Sequence, residues 1–74
     1  NPSTTIGFAL PASGNVNLVV FDILGREVAT LLNKEMESGF QSVVFDASTY
    51  AAGVYFYKLS FNGKVVTKKL TLLK

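Results

Sequence analysis

Asn62-Gly63 separates "VYFYKLSF" at 54–61 from "KVVTKKLTLL" at 64–73, two segments rich in β-branched, aromatic and aliphatic residues. Asparagine followed by glycine is the pair best suited to a type I′ turn, which needs positive φ at both central residues and whose twist matches that of antiparallel strands. A two-residue loop fixes register as well as proximity. It pairs Phe61 with Lys64, and therefore Leu59 with Val66, Tyr57 with Lys68 and Tyr55 with Leu70. One face of the predicted hairpin then collects Tyr55, Tyr57, Leu59, Phe61, Val66, Leu70 and Leu72, the expected core side. The other collects Val54, Phe56, Lys58, Val65, Thr67 and Lys69, with Phe56 directly opposite Lys69. Lys68 falls beside Tyr57, which a core tolerates at its rim, where the lysine stem covers apolar surface and the ammonium reaches water, or with an intervening bulge.

Upstream segments carry related signals. In "TIGFAL" at 5–10, Ile6, Phe8 and Leu10 alternate with Thr5, Gly7 and Ala9, the pattern of a half-buried strand. Pro11 and the "PASGN" cluster end it. "NVNLVVFDI" at 15–23 is apolar on both parities and rich in β-branched residues, as expected of a strand covered on both sides. Residues 40–46 read as a strand with Gln41, Val43 and Phe45 on one side. "STYAAG" follows as a loop from which Tyr50 can fold back as a plug, and Gly53 opens the next strand. The segment 24–36 is ambiguous. Leu24, Val28, Leu31 and Leu32 fall at i, i+4, i+7 and i+8 among good helix formers, so periodicity alone favours a short amphipathic helix, although Val28, Thr30 and Leu32 also alternate. Short strands with turn signals at regular intervals indicate an all-β, immunoglobulin-like antiparallel β-sandwich of about six to seven short strands.

At 74 residues there is room for one core, and a chain of this size buries only about 60% of its unfolded surface. Cysteine is absent, which removes disulfides, thiolate metal sites and a thiol nucleophile together. Apolar residues make up 49% against 16% charged, a composition that folds rather than one that stays disordered. The net charge of +2 is spread too thinly for a nucleic-acid footprint. No apolar run approaches the roughly 20 residues of a membrane-spanning helix, and the N-terminus lacks the charged and apolar regions of a signal peptide. A start at Asn1-Pro2 without methionine leads to the expectation of a fragment from a longer protein.

With no histidine or cysteine, acid–base chemistry would fall to Asp22, Glu27, Glu35, Glu37 and Asp46. Asp22 and Asp46 stand where strands meet turns, where a carboxylate ordinarily accepts backbone N–H bonds. No oxygen cluster resembles a calcium loop, and no cofactor is implied. Tyr55, Phe56, Tyr57 and Phe61 suit a core better than a sugar-stacking platform. Gly25 suits a tight turn with Arg26 as an exposed flank. Lys68-Lys69 suits the protection of an edge strand against unwanted pairing.

Three elements together resemble the C-terminal sorting domain (type A) of proteins exported by the bacterial type IX, or Por, secretion system: "FDILGREV" at 21–28, the Gly-x-Tyr of Gly53 and Tyr55, and the basic-apolar run from Lys68 to Lys74. The resemblance covers essentially the whole chain, 1–74, with Phe21 where the family commonly has tyrosine. It implies a strand rather than a helix at 26–36, and a non-catalytic secretion signal at the end of a cargo protein. The cargo would lie N-terminal in the same chain, cross the periplasm and outer membrane, and become secreted or held at the cell surface. Implied partners are the outer-membrane translocon, a shuttle protein and a C-terminal-signal peptidase. Lys68, Lys69, Leu70, Leu72 and Lys74 are the candidate recognition residues, with Phe21, Asp22, Gly25, Arg26, Gly53 and Tyr55 holding the fold that presents them. An uncovered edge strand further predicts pairing of two copies at high concentration.

A structural immunoglobulin-like module for adhesion, spacing or carbohydrate binding, similar to accessory domains of flagellar hook-capping proteins and extracellular glycosidases, shares the "YDxxGR"-like block and the "GVYFY"-like strand. Position within the full-length protein discriminates, since a sorting domain is C-terminal. An ending directly after "KKLTLLK" favours sorting, provided Lys74 is the native terminus.

Overall fold

The computed structural model describes residues 3–73, which form six strands: β1 (Ser3–Leu10), β2 (Gly14–Asp22), β3 (Glu27–Met36), β4 (Gly39–Asp46), β5 (Gly53–Phe61) and β6 (Lys64–Leu72). They make two antiparallel sheets, β1-β4 and β3-β2-β5-β6. The smaller sheet packs on one face of the larger, which gives the immunoglobulin-like all-β sandwich expected from the sequence. Asn62 and Gly63 have φ of 50° and 78°, as a type I′ turn requires. The β5-β6 register follows from that turn, with Phe61 opposite Lys64, Tyr57 opposite Lys68 and Tyr55 opposite Leu70, and it runs without a shift to Gly53 opposite Leu72.

Between the sheets, Ile6 from β1 and Phe45 from β4 meet Leu18 and Val20 from β2, Tyr55 from β5 and Leu72 from β6. A second cluster of Leu10, Val16 and Phe61 fills the opposite end. Phe45, Leu18, Val16 and Val20 are the largest fully buried side chains, and each contributes roughly 1.5–3 kcal/mol on leaving water. Tyr50 folds back as expected. Its ring lies 5.4 Å from that of Phe45 and 6.5 Å, edge-on, from that of Tyr55, and its hydroxyl donates to the Val28 carbonyl at 3.0 Å.

The strand that the family resemblance implies at 26–36 is present, and two other expectations change. The segment that looks helical by spacing is β3, paired along β2 with two register shifts, between Leu18 and Val19 and between Val20 and Phe21. At those shifts Leu31 and Val28 have no partner of their own in β2; each is the extra residue of a β-bulge, which resets the two-residue alternation. Val28, Ala29, Leu31 and Leu32 consequently all pack on the core. Next, β2 is covered by a second layer on one face only. On the other, Val19 is still only 7% exposed, sheltered within the sheet beside its register neighbours Thr30 and Lys58, and the Lys58 ammonium lies 5.7 Å from the centre of the Phe21 ring. Finally, Val66, expected in the core, is 46% exposed. Two strands cannot cover four, so the inward face of β6 is sheltered only toward its end, at Leu70 and Leu72.

Candidate functional site

The motif residues converge on the β2-β3 turn. The Asp22 N–H donates to the Arg26 carbonyl at 2.9 Å and the Gly25 N–H to the Asp22 carbonyl at 3.0 Å. Within that loop, Asp22 Oδ1 accepts from the backbone N–H groups of Leu24 and Arg26, both at 2.9 Å, and Oδ2 accepts from Arg26 Nε at 2.8 Å. Donation by the Arg26 N–H, joined by its guanidinium and by the Leu24 N–H, outweighs partial desolvation and holds the carboxyl below its ordinary value of 3.8. Arg26 is thus more than the bare flank expected of it. Its side chain stays 73% exposed while closing the turn on Asp22. Gly25 supplies the positive φ, 83°, that the loop needs.

Across the register, Asp22 stands opposite Tyr55, whose hydroxyl donates to the Ala51 carbonyl at 2.8 Å and anchors the loop that leads into Gly53. A shallow cleft of about 250 Å³ lies between the turn and the start of β5, with Asp22, Arg26, Gly53 and Tyr55 among its walls. Phe21 stands opposite Phe56 on the outer face of the sheet. Asp46 behaves like Asp22 in miniature, accepting from the Ser48 N–H at 3.0 Å. Both carboxylates therefore do the turn-closing work expected of them. Among the described residues, no three carboxylates come together as metal ligands.

Four of the candidate recognition residues, Lys68, Lys69, Leu70 and Leu72, lie on β6, which ends the larger sheet and, among the described residues, pairs on one side only, with β5. Lys68 and Lys69 are exposed, with Lys68 opposite Tyr57 and no bulge between them, the rim placement that the register implies. Leu70 is half-buried against the main core cluster and Leu72 is buried in it, so both side chains tie the end of β6 to the core. Lys74 lies outside the described residues. The turn and β6 are brought to one end of the sandwich, because Asp22 faces Tyr55 and Gly53 faces Leu72. Sequence reasoning missed the exposure of Ile23 and Leu24, 69% and 74%, on the turn that Asp22 and Arg26 hold. Residues between an aspartate and a glycine in a tight turn face outward, which is the signal that could have found them.

The aromatic residues divide by parity. Tyr55 and Phe61 are buried, Tyr57 packs on the core, and Phe56 alone of the four faces outward. These four therefore share no common exposed face. The profile of the family described as "Secretion system C-terminal sorting domain" matches residues 1–73. The chain belongs to that family of type IX sorting domains. No curated protein and no solved structure gives a match. Domains of this family are C-terminal sorting signals, in general non-catalytic, that mark a cargo protein for secretion or the cell surface. In this sorting domain the family's central block builds the Asp22–Arg26 turn, its Gly-x-Tyr docks against that turn, and its basic-apolar run supplies the sheet's edge.

Proposed function

We propose that this sorting domain directs an N-terminal cargo across the outer membrane through the type IX translocon, and that β6 is the surface the machinery reads. The supporting observation is the placement of the family's terminal run on an open edge strand, with Lys68 and Lys69 exposed while Leu70 and Leu72 anchor it to the core. An open edge offers unpaired backbone N–H and C=O groups to an incoming strand, so main-chain bonds supply affinity and side chains supply specificity. The Asp22–Arg26 turn, Gly53 and Tyr55 hold the end of the sandwich at which β6 finishes. Cargo then follows the route of periplasm, outer membrane and cell surface, with shuttle and peptidase acting after recognition.

The test is a cargo fusion carrying Lys68→Gln and Lys69→Gln in a bacterium with an active type IX system. The double variant keeps its strand signature in circular dichroism, and its cargo accumulates in the periplasm. Normal export of the folded variant would reduce the lysines to edge protection and move the search to the Gly25-Arg26 turn.

A further inference from the structure

The last third of this chain carries positive charge alone. The carboxylates Asp22, Glu27, Glu35, Glu37 and Asp46 all precede residue 47, with Arg26 and Lys34 among them, while Lys58, Lys64, Lys68, Lys69 and Lys74 follow residue 57 with no carboxylate side chain between them. In the order β3-β2-β5-β6, one edge strand carries Glu27, Lys34 and Glu35, and the opposite edge carries Lys64, Lys68 and Lys69 with no carboxylate. Among the described residues the ion pair present is Arg26–Asp22, and the β6 lysines pair with no described carboxylate. Beside them Val65 and Val66 are 58% and 46% exposed.

Neighbouring residues of a strand point to opposite faces. The adjacent pairs Val65-Val66 and Lys68-Lys69 hence give each face of the open edge one valine and one lysine. A flat anionic surface laid on either face reaches one lysine of the pair. A strand added to the edge reaches both, because its own side chains alternate in the same way. Lysines on an edge strand deter pairing with a like or apolar strand, but β6 is nine residues long and pairs with β5 without a register shift, so its edge stays regular enough to accept a strand of complementary charge.

Resting on the reading of β6 as the recognised strand, we propose that its partner is an acidic-apolar extended segment of a receptor protein that adds antiparallel to the β6 edge. Its sequence order is acid-acid-x-apolar-apolar. Two carboxylates then stand beside Lys69 and Lys68, and two aliphatic side chains beside Val66 and Val65.

The probe is the peptide Thr-Glu-Glu-Thr-Val-Val-Thr, added to the isotope-labelled 74-residue chain and followed by amide resonances. Shifts are expected to concentrate at residues 64–72, with no comparable response to the same peptide carrying Lys-Lys in place of Glu-Glu. In the variant Lys68→Glu with Lys69→Glu, checked for folding by circular dichroism, the preference reverses, and the acidic peptide binds roughly five-fold or more weakly, the loss of two cross-strand charge pairs. Equal response to both peptides, shifts centred elsewhere, or binding of phosphatidylglycerol vesicles without binding of the peptide each overturn the proposal, the last in favour of a membrane surface. The export assay separates the two layers. If the peptide does not bind while the double glutamine variant still fails to export, only the partner chemistry falls; if that variant exports normally, the reading of β6 falls with it.

Discussion

Leu72 tests whether the end of β6 acts through the core or by direct contact. Its side chain is 5% exposed and packs in the cluster of Ile6, Phe45 and Tyr55. Truncation to alanine removes about 2–5 kcal/mol, the range for a buried leucine whose site collapses only partly. At 0.05–0.15 kcal/mol per residue, a domain of this length has roughly 4–11 kcal/mol in total, so Leu72→Ala leaves a small fraction of the stability at the lower end. Leu72→Met nearly conserves volume and costs under about 1.5 kcal/mol. Urea unfolding followed by circular dichroism gives the stability of each variant, and a cargo fusion gives its export. If Leu72 is scaffold, export follows stability: the alanine variant is retained and degraded, and the methionine variant is exported like the parent. A methionine variant that is as stable as the parent but is not exported would refute the assignment, since a receptor would then be reading the Leu72 side chain itself.

The Asp22 carboxyl is held low, so its folded-state pKa lies below the unfolded value and its contribution is complete above about pH 4. As pH falls through the folded value the turn loosens, which amide shifts of Leu24 and Arg26 will report and which Asp22→Asn will abolish. Gly53 has φ of 146° with empty space where a Cβ would stand; Gly53→Ala is expected to cost about 1–3 kcal/mol of unfolding free energy from backbone conformation alone, and an unchanged urea midpoint would contradict this. Removing the Tyr50 hydroxyl by Tyr50→Phe costs about 1 kcal/mol in the same assay, with the ring contacts retained. The open edges and the exposed Phe40, Val44 and Val65 lead us to expect dimers or strand-exchanged assemblies at high concentration; light scattering that finds only monomer at millimolar protein would count against them.

The β5-β6 hairpin was legible because everything that decides it is local: a turn pair with one favoured geometry and two strands directly beside it. The residues that close the Asp22–Arg26 turn were legible as turn chemistry, but the guanidinium's part was not, since a side chain reaching back four residues leaves no mark in periodicity. The 24–36 segment shows the limit most clearly. Its leucines and valine repeat at helical spacing because Leu31 and Val28 are bulge residues, inserted where β3 slips against β2, and a bulge breaks the two-residue period by which a strand is read. The choice between helix and strand there belongs to β2, whose unpaired backbone and apolar face are satisfied only by a neighbour. Val66 tells the same story from the other side. Its parity marks it as core, and parity is all that the sequence by itself determines. Whether that face is covered depends on the width of the opposing sheet, which tertiary packing alone decides; with two strands facing four, β6 stays open along its edge and over much of its inner face.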